Sequence, residues 1–348
     1  MAIEITGTGR ATPPNRISND ELAKKIDTSD EWIRSHTGIG NRHIAGEECA
    51  ASDLALEAAK EALIMALGLE GFSPPELEKA LAEAALSLDM IVIATATPDF
   101  YGIPSTACLI QDKLGAKRAG AMDITAACTG FIYALETAAA LLSVDSQRKR
   151  ALVIGAEVLS KFADWNDRGT CVLFGDGAGA AVLEKTKSPC DGKGKRGLLK
   201  TILRADGTGG DNLILRRGGS RHPFRIGETV RQPTCIEMNG RAVYNFAVGA
   251  ITEVIEEILF VEGITVSNIA RIIPHQANAR IVQAAAKRLK IPEEKFYLNI
   301  EEYANTSAAS IPIAMDELNR NGEIHKGDMI MSVGFGGGLT YGANLIVW

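Results

Sequence analysis

AMDITAACTGFIY, residues 121 to 133, is the stretch on which the reading of this chain turns. Ala121, Met122, Ile124 and Thr125 read as the end of a buried strand. Two alanines lead to Cys128, and Thr129-Gly130 opens an apolar, alanine-rich run, Phe131 to Val144, long enough for a buried helix. The cysteine therefore falls at a strand-to-helix turn, at the helix N-terminus. The helix dipole and free backbone N–H groups there favour a thiolate. Ala126, Ala127 and Gly130 leave room for a substrate beside the sulfur. This pattern suggests a covalent nucleophile, although a lone cysteine is more commonly a small core residue.

Composition limits the alternatives. A chain of 348 residues allows two ordinary domains or one large duplicated fold. With 46% hydrophobic and 23% charged residues, it can bury a large core. A net charge of −6 argues against general nucleic-acid or membrane-surface binding. No apolar run is expected to reach the ~18 residues of a membrane span. The opening MAIEITGTGRATPP lacks a secretory pattern, which points to the cytoplasm. The six cysteines (49, 108, 128, 171, 190 and 235) never approach CxxC spacing, so neither a zinc site nor a redox pair is expected.

Outward from Cys128, the chain alternates helical and strand patterns. Leu56, Ala59, Leu63 and Ala66 repeat at helical spacing, stopped by Gly68. Ser73-Pro74-Pro75 opens a second helix. Asp89 to Thr97, DMIVIATAT, reads as a buried parallel strand, and Ala151 to Gly155 as another. Leu173 to Leu183 forms two apolar arms around glycines. After the polar loop PCDGKGKR, at 189 to 196, the pattern returns. Ala270 to Ile273 is a strand ending at Pro274-His275, and a helix runs from Asn278 to Lys290. Tyr297 to Asn299 is a strand before NTSAASIP, and Ile313 to Asn319 is helical. Asp328 to Val333 is a strand ending in glycines, and Ala343 to Trp348 is the last. Cys128 and the Asn305 loop occupy matching places in this repeat. The expected architecture is an internally duplicated α/β fold, with halves 1–188 and 189–348, whose loops meet near a pseudo-twofold axis.

A nucleophilic cysteine needs partners for charge and protons. Of five histidines, only His275 ends a buried strand. Taken singly, His275 is equally well a histidine satisfied by backbone, and Asn305 a turn residue. Together, ACTGF around Cys128, IIPHQAN around His275 and YANTSAASIP around Asn305 resemble the Cys-His-Asn set of β-ketoacyl-acyl-carrier-protein synthase III. TSDEWIRSHTGI, DRGTCVLFGDGAGAAVL and GFGGGLTYGANL extend the resemblance over nearly the whole chain.

The resemblance implies a thiolase-like fold of two βαβαβ-type halves in α/β/α/β/α layers. It also implies a homodimer, no cofactor and no metal, with the CoA thioester as substrate. Cys128 would take an acyl group from acyl-CoA, and malonyl-acyl carrier protein would follow. His275 and Asn305 would hold the thioester oxygen during decarboxylation. The backbone N–H groups of Cys128 and Gly337 would form a second oxyanion hole. Thr28, Trp32, Arg168 and Asn278 would bind CoA, with Trp32 and Arg168 on the adenine. Gln276, Arg280 and Lys287 would meet the carrier protein, an acidic partner. Ile103, supplied by the dimer partner, would wall the acyl pocket.

Some positions depart from the family's usual residues. His36 stands where arginine is frequent, Asn245 where lysine is, and Arg241 where asparagine is. Ile103 replaces the phenylalanine of many acetyl-selective members, which points to longer or branched primers. The stretch from Glu70 to Leu88 is longer than usual and suggests no function. Among rival readings, Gly175-Asp176-Gly177-Ala178-Gly179 lacks the third glycine and following helix of a dinucleotide fingerprint. A degradative thiolase would want a second cysteine near the C-terminus, and none follows Cys235. A non-catalytic protein on this scaffold would be expected to have lost one of Cys128, His275 and Asn305. A condensing enzyme of secondary metabolism, or one using a different primer or acceptor, is the remaining alternative.

Overall fold

In the computed structural model, residues 2–187, 196–225, 227 and 234–348 are described. Two sheets organise them. The first has the order Ala2–Ala11, Asp176–Thr186, Arg150–Val158, Met90–Ala94, Gly120–Ile124. The second has the order Gly197–Ala205, Thr340–Val347, Met329–Gly336, Arg271–Pro274. Reading across, both run antiparallel, antiparallel, then parallel. The first sheet adds Gly120–Ile124 as a further parallel strand. The second has only a single parallel bridge there, from Ile272 to Phe296. The predicted strand over 297–299 is thus absent. Its place is taken by that bridge, with the Gln276 side chain holding the Tyr297 and Asn299 backbone.

The layers follow from two-sided burial. In Met90–Ala94, Met90, Val92 and Ala94 face a central core, while Ile91 and Ile93 face an outer one. Both faces are apolar because both are covered by helices. The central core joins the two sheets: Val92 and Val153 from one, Ile273 and Ile330 from the other. Helices Gly130–Val144 and Ser310–Arg320 lie in this core. Ala51–Leu67 and Thr106–Leu114 cover the first sheet outside, and Gly240–Glu262 with Ala279–Leu289 cover the second. The result is the expected five-layer α/β/α/β/α thiolase-type arrangement.

Several local expectations change. Gly120–Ile124 is an edge strand, only half-buried, rather than a buried one. Leu173 to Leu183 is not two arms, since one strand spans Asp176–Thr186. Ala127–Val144 is an 18-residue stretch of mean hydropathy 1.5, long and apolar enough to cross a membrane. Here its helix is the middle layer, packed on both sheets through Phe131, Ile132, Leu135 and Leu142. Pro74–Leu86 packs through Ala84 and Ala85 beside Ala51–Leu67, leaving Phe72 and Leu86 exposed. The division between residues 188 and 189 lies outside the described residues, as does Cys190. The five described cysteines are free thiols.

Candidate active site

Each half begins its core helix from a tight turn. Ala127–Thr129 precedes Gly130–Val144, and Ser307–Ala309 precedes Ser310–Arg320. The turns are alike in backbone: Ala127 has φ 45° and Ser307 has φ 47°. Such left-handed non-glycine residues cost about 1–3 kcal/mol each and are held by surrounding packing. The two turns pack on one another across the centre of the molecule. Cys128 projects from the first. Asn305 enters the second, its backbone N–H donating to the Leu173 carbonyl at 2.9 Å. His275 ends Arg271–Pro274, its N–H donating to the Val333 carbonyl at 2.8 Å.

All three side chains line one cavity of about 240 Å³. It opens past Trp32, His36 and Asn278 and narrows to Cys128, His275, Asn305 and Phe335. A second cavity, about 330 Å³, meets it at Cys128, Phe174 and Leu213. That one is mostly apolar, lined by Leu159, Phe162, Ile214 and Ile236, with Gly337 beside the cysteine. Cys128 therefore sits where a channel from the surface joins an apolar chamber.

The electrostatics bear on one expectation. Cys128 is 8% exposed, and burial pushes its thiol up to about 12. Buried Glu157 pushes the same way, and a hydrogen bond with Ser307 opposes it. Moving the thiol from 9.0 to about 12 is worth about 4 kcal/mol. A helix N-terminus offers at most about 2 kcal/mol. Burial therefore works against the thiolate that the helix N-terminus favours.

His275 is 1% exposed, and burial lowers its pKa to about 3. At neutral pH it is uncharged. Its Nδ1 lies 2.7 Å from Ser310 Oγ, while Nε2 is buried with no protein partner among the described residues. Asn305 has its amide orientation set by the backbone. The Ser307 N–H donates to Asn305 Oδ1 at 2.8 Å, which leaves the amide NH₂ as the free donor. The arrangement offers a nucleophile and two neutral hydrogen-bonding groups, suited to an oxyanion that must not take a proton.

The remaining expected residues fare unequally. Thr28 Oγ1 is buried and has no partner among the described residues, so it can serve a ligand. Arg168 stands over the Trp32 ring, 5.4 Å from its centroid, and His36 stacks on Trp32 at 4.5 Å. Asn278 caps Ala279–Leu289 through Arg280 N–H and donates to the His36 carbonyl at 3.0 Å. Its amide thus ties the channel mouth together. Gln276 is a correction. It is 1% exposed, its amide donating to the Pro274 and Tyr297 carbonyls and accepting from Asn299 N–H, so it cannot touch a protein docked at the surface. Arg280 and Lys287 are exposed on one helix. Ile103, 88% exposed, protrudes and does not line the chamber of its own chain.

Glu157, Ser310 and Gly336 were not found from sequence. Glu157 is fully buried, accepts from Ala96 N–H at 3.1 Å and Thr97 Oγ1 at 2.6 Å, and is pushed up to about 7 by burial. A carboxylate inside the apolar strand ALVIGAEVL was the available signal. Gly336 packs on the Cys128 backbone.

Known proteins resemble the chain throughout. The family described as 3-Oxoacyl-[acyl-carrier-protein (ACP)] synthase III matches residues 122–207, and its C-terminal family matches 259–348. A beta-ketoacyl-[acyl-carrier-protein] synthase III of Clostridium perfringens is 49% identical over 343 residues, spanning 99% of this chain and 98% of that one. The crystal structure of 3-oxoacyl-[acyl-carrier-protein] synthase III from Aquifex aeolicus superposes with TM-score 0.84 at 43% identity, covering 100% of both chains. The priming beta-ketosynthase of the R1128 polyketide pathway superposes with TM-score 0.86 at 31% identity, over 99% and 96%. Identity at this level, end to end, answers what three short motifs raised: the chain belongs to the 3-oxoacyl-[acyl-carrier-protein] synthase III family of condensing acyltransferases.

Proposed function

We propose that the chain joins an acyl-CoA primer to malonyl-acyl carrier protein, with loss of CO₂, and so initiates fatty acid synthesis. The observation that carries this is the position of Cys128 at the junction of the channel and the apolar chamber, on one wall with His275 and Asn305. The Cys128 sulfur attacks the thioester carbonyl. The bond to CoA sulfur breaks, and CoA leaves as a thiol with the proton the cysteine gives up. The backbone N–H groups of Cys128 and Gly337 receive the developing oxyanion. The acyl chain lies in the chamber and the CoA arm in the channel, past Asn278 and Thr28 to Trp32 and Arg168.

Malonyl-acyl carrier protein then takes the channel, its docking favoured by exposed Arg280 and Lys287. The bond to its carboxylate breaks, CO₂ leaves, and the electron pair becomes an enolate. Neutral donors on His275 and Asn305 stabilise that oxygen, each worth about 3 kcal/mol in a water-excluded site. The enolate carbon attacks the acyl-cysteine carbonyl, the C–S bond breaks, and the released thiolate takes a proton from water. The product is a 3-oxoacyl-acyl carrier protein. No cofactor or metal enters this sequence. The reading includes a homodimer in the cytoplasm, two halves divided near residue 188, and a chamber closed by Ile103 of the partner subunit.

A test is to supply acyl-CoA and malonyl-acyl carrier protein and measure 3-oxoacyl product. Product from the wild type and none from Cys128→Ala supports the reading. No product with any primer contradicts it. The likeness to a priming ketosynthase favours, as a second reading, the same chemistry on a primer of secondary metabolism. Comparing primers and carrier proteins in that assay separates the two.

A further inference from the structure

His275 can donate to an enolate oxygen only if its free nitrogen, Nε2, carries the proton. A neutral imidazole has one N–H, so Nδ1 must then accept. The group facing Nδ1 is the Ser310 hydroxyl, at 2.7 Å. That hydroxyl has one proton and two acceptors in reach: His275 Nδ1, and the Ser307 carbonyl at 2.8 Å. Backbone N–H of Gln276 approaches the same oxygen at 3.4 Å and can only donate to it.

Two arrangements follow. When Ser310 donates to the Ser307 carbonyl, His275 Nδ1–H donates to Ser310 Oγ, and Nε2 presents a lone pair. When Ser310 turns its proton to Nδ1, Nε2 carries the hydrogen and faces the cavity as a donor. Only the second holds an oxyanion. In the second, the Ser307 carbonyl gives up the hydroxyl but still accepts from Ser310 N–H, so the arrangements interconvert by rotation of one hydroxyl together with proton exchange in which Nδ1 loses a proton and Nε2 gains one from water in the cavity. A ligand oxygen at Nε2 binds only the second and so shifts the population towards it.

We propose that Ser310 is a positioning residue that sets the His275 tautomer, making Nε2 a donor for the malonyl half-reaction. The Ser310 oxygen touches no substrate and acts through His275. Ser310 opens helix Ser310–Arg320, and Ser307 belongs to the turn before it, so the device is built into the second-half turn that carries Asn305. Acylation of Cys128 does not use the His275 donor, so the two half-reactions respond differently.

This inference rests on the proposed function, and the test separates the two. Acylation of Cys128 by acyl-CoA and decarboxylation of malonyl-acyl carrier protein are measured separately in wild type, Ser310→Ala and Ser310→Thr. The expected result is decarboxylation at least tenfold slower in Ser310→Ala, acylation within about twofold of wild type, and recovery of decarboxylation in Ser310→Thr, which restores a hydroxyl. Unchanged decarboxylation in Ser310→Ala overturns the proposal. So does parallel loss of both half-reactions, which marks a purely structural role. A wild type that acylates but never decarboxylates malonyl-acyl carrier protein contradicts the functional reading instead.

Discussion

A Cβ placed on Gly336 would lie 2.6 Å from the backbone nitrogen of Cys128 and 3.2 Å from its Cα. Backbone at a strand end and at a tight turn has little freedom to move aside. The absence of a side chain at 336 is therefore what lets the last residue of Met329–Gly336 support the nucleophile. Gly336→Ala is expected to displace Cys128 and slow its acylation by roughly 100-fold, since a misplacement near 1 Å has that effect. Stopped acylation kinetics with acyl-CoA check this, and a wild-type rate in a folded variant would refute it.

The buried ionisable groups make stability depend on pH in opposite senses. Glu157 has its pKa raised from 4.5 to about 7, so the folded state binds more protons in that window and stability falls as pH rises through it. Glu157→Gln should lose that slope, gaining up to about 3 kcal/mol on wild type between the two values. His275 is lowered from 6.5 to about 3, so stability falls as pH drops through that range. His275→Gln should remove that second slope. Urea midpoints from pH 4 to 8 read both, and curves parallel to wild type would contradict the account.

Trp32 and Arg168 are already stacked on one another, so an adenine that enters between them must lift the guanidinium away. Base stacking on an aromatic is worth about 1–3 kcal/mol. Trp32→Ala is expected to raise the KM for acyl-CoA about tenfold while leaving malonyl-acyl carrier protein decarboxylation nearly unchanged. Equal effects on both substrates would argue against adenine contact.

Ile103 is 88% exposed in the single chain, and the proposed dimer would bury it against the partner. If the partner's isoleucine, rather than a phenylalanine, closes the chamber as proposed, primers of four to eight carbons are expected to match or exceed acetyl-CoA in kcat/KM. Ile103→Phe should shift that preference toward acetyl. An unchanged ratio would place the wall elsewhere.

Reversing charge at Arg280 and Lys287 is expected to weaken malonyl-acyl carrier protein and flatten the salt dependence of its KM, because exposed charges steer docking rather than hold the complex. The KM for acyl-CoA serves as the internal control.

The fold was legible in the sequence where burial is two-sided. DMIVIATAT and ALVIG read as continuous apolar strands because helices cover both their faces. Tyr297 to Asn299 reads as a strand, yet only a single bridge at neighbouring Phe296 and the Gln276 side chain hold that stretch beside the sheet. Cys128, His275 and Asn305 were legible through their motifs. Their electrical environment was not: a helix N-terminus is visible in sequence, but the burial that pushes the thiol pKa up appears only once the second half closes over it. Ser310 was hidden for a related reason. Its importance comes from an oxygen 2.7 Å from a histidine 35 residues away, and no local pattern encodes that.

The most direct test of the central claim is intact-protein and peptide mass spectrometry in two steps. The account predicts that incubation with acyl-CoA adds one acyl mass, located on Cys128. It predicts that the mass disappears when malonyl-acyl carrier protein is added, with 3-oxoacyl-acyl carrier protein appearing in equal amount. An acyl group found on another cysteine, or an acyl-Cys128 that persists in the presence of malonyl-acyl carrier protein, would contradict it.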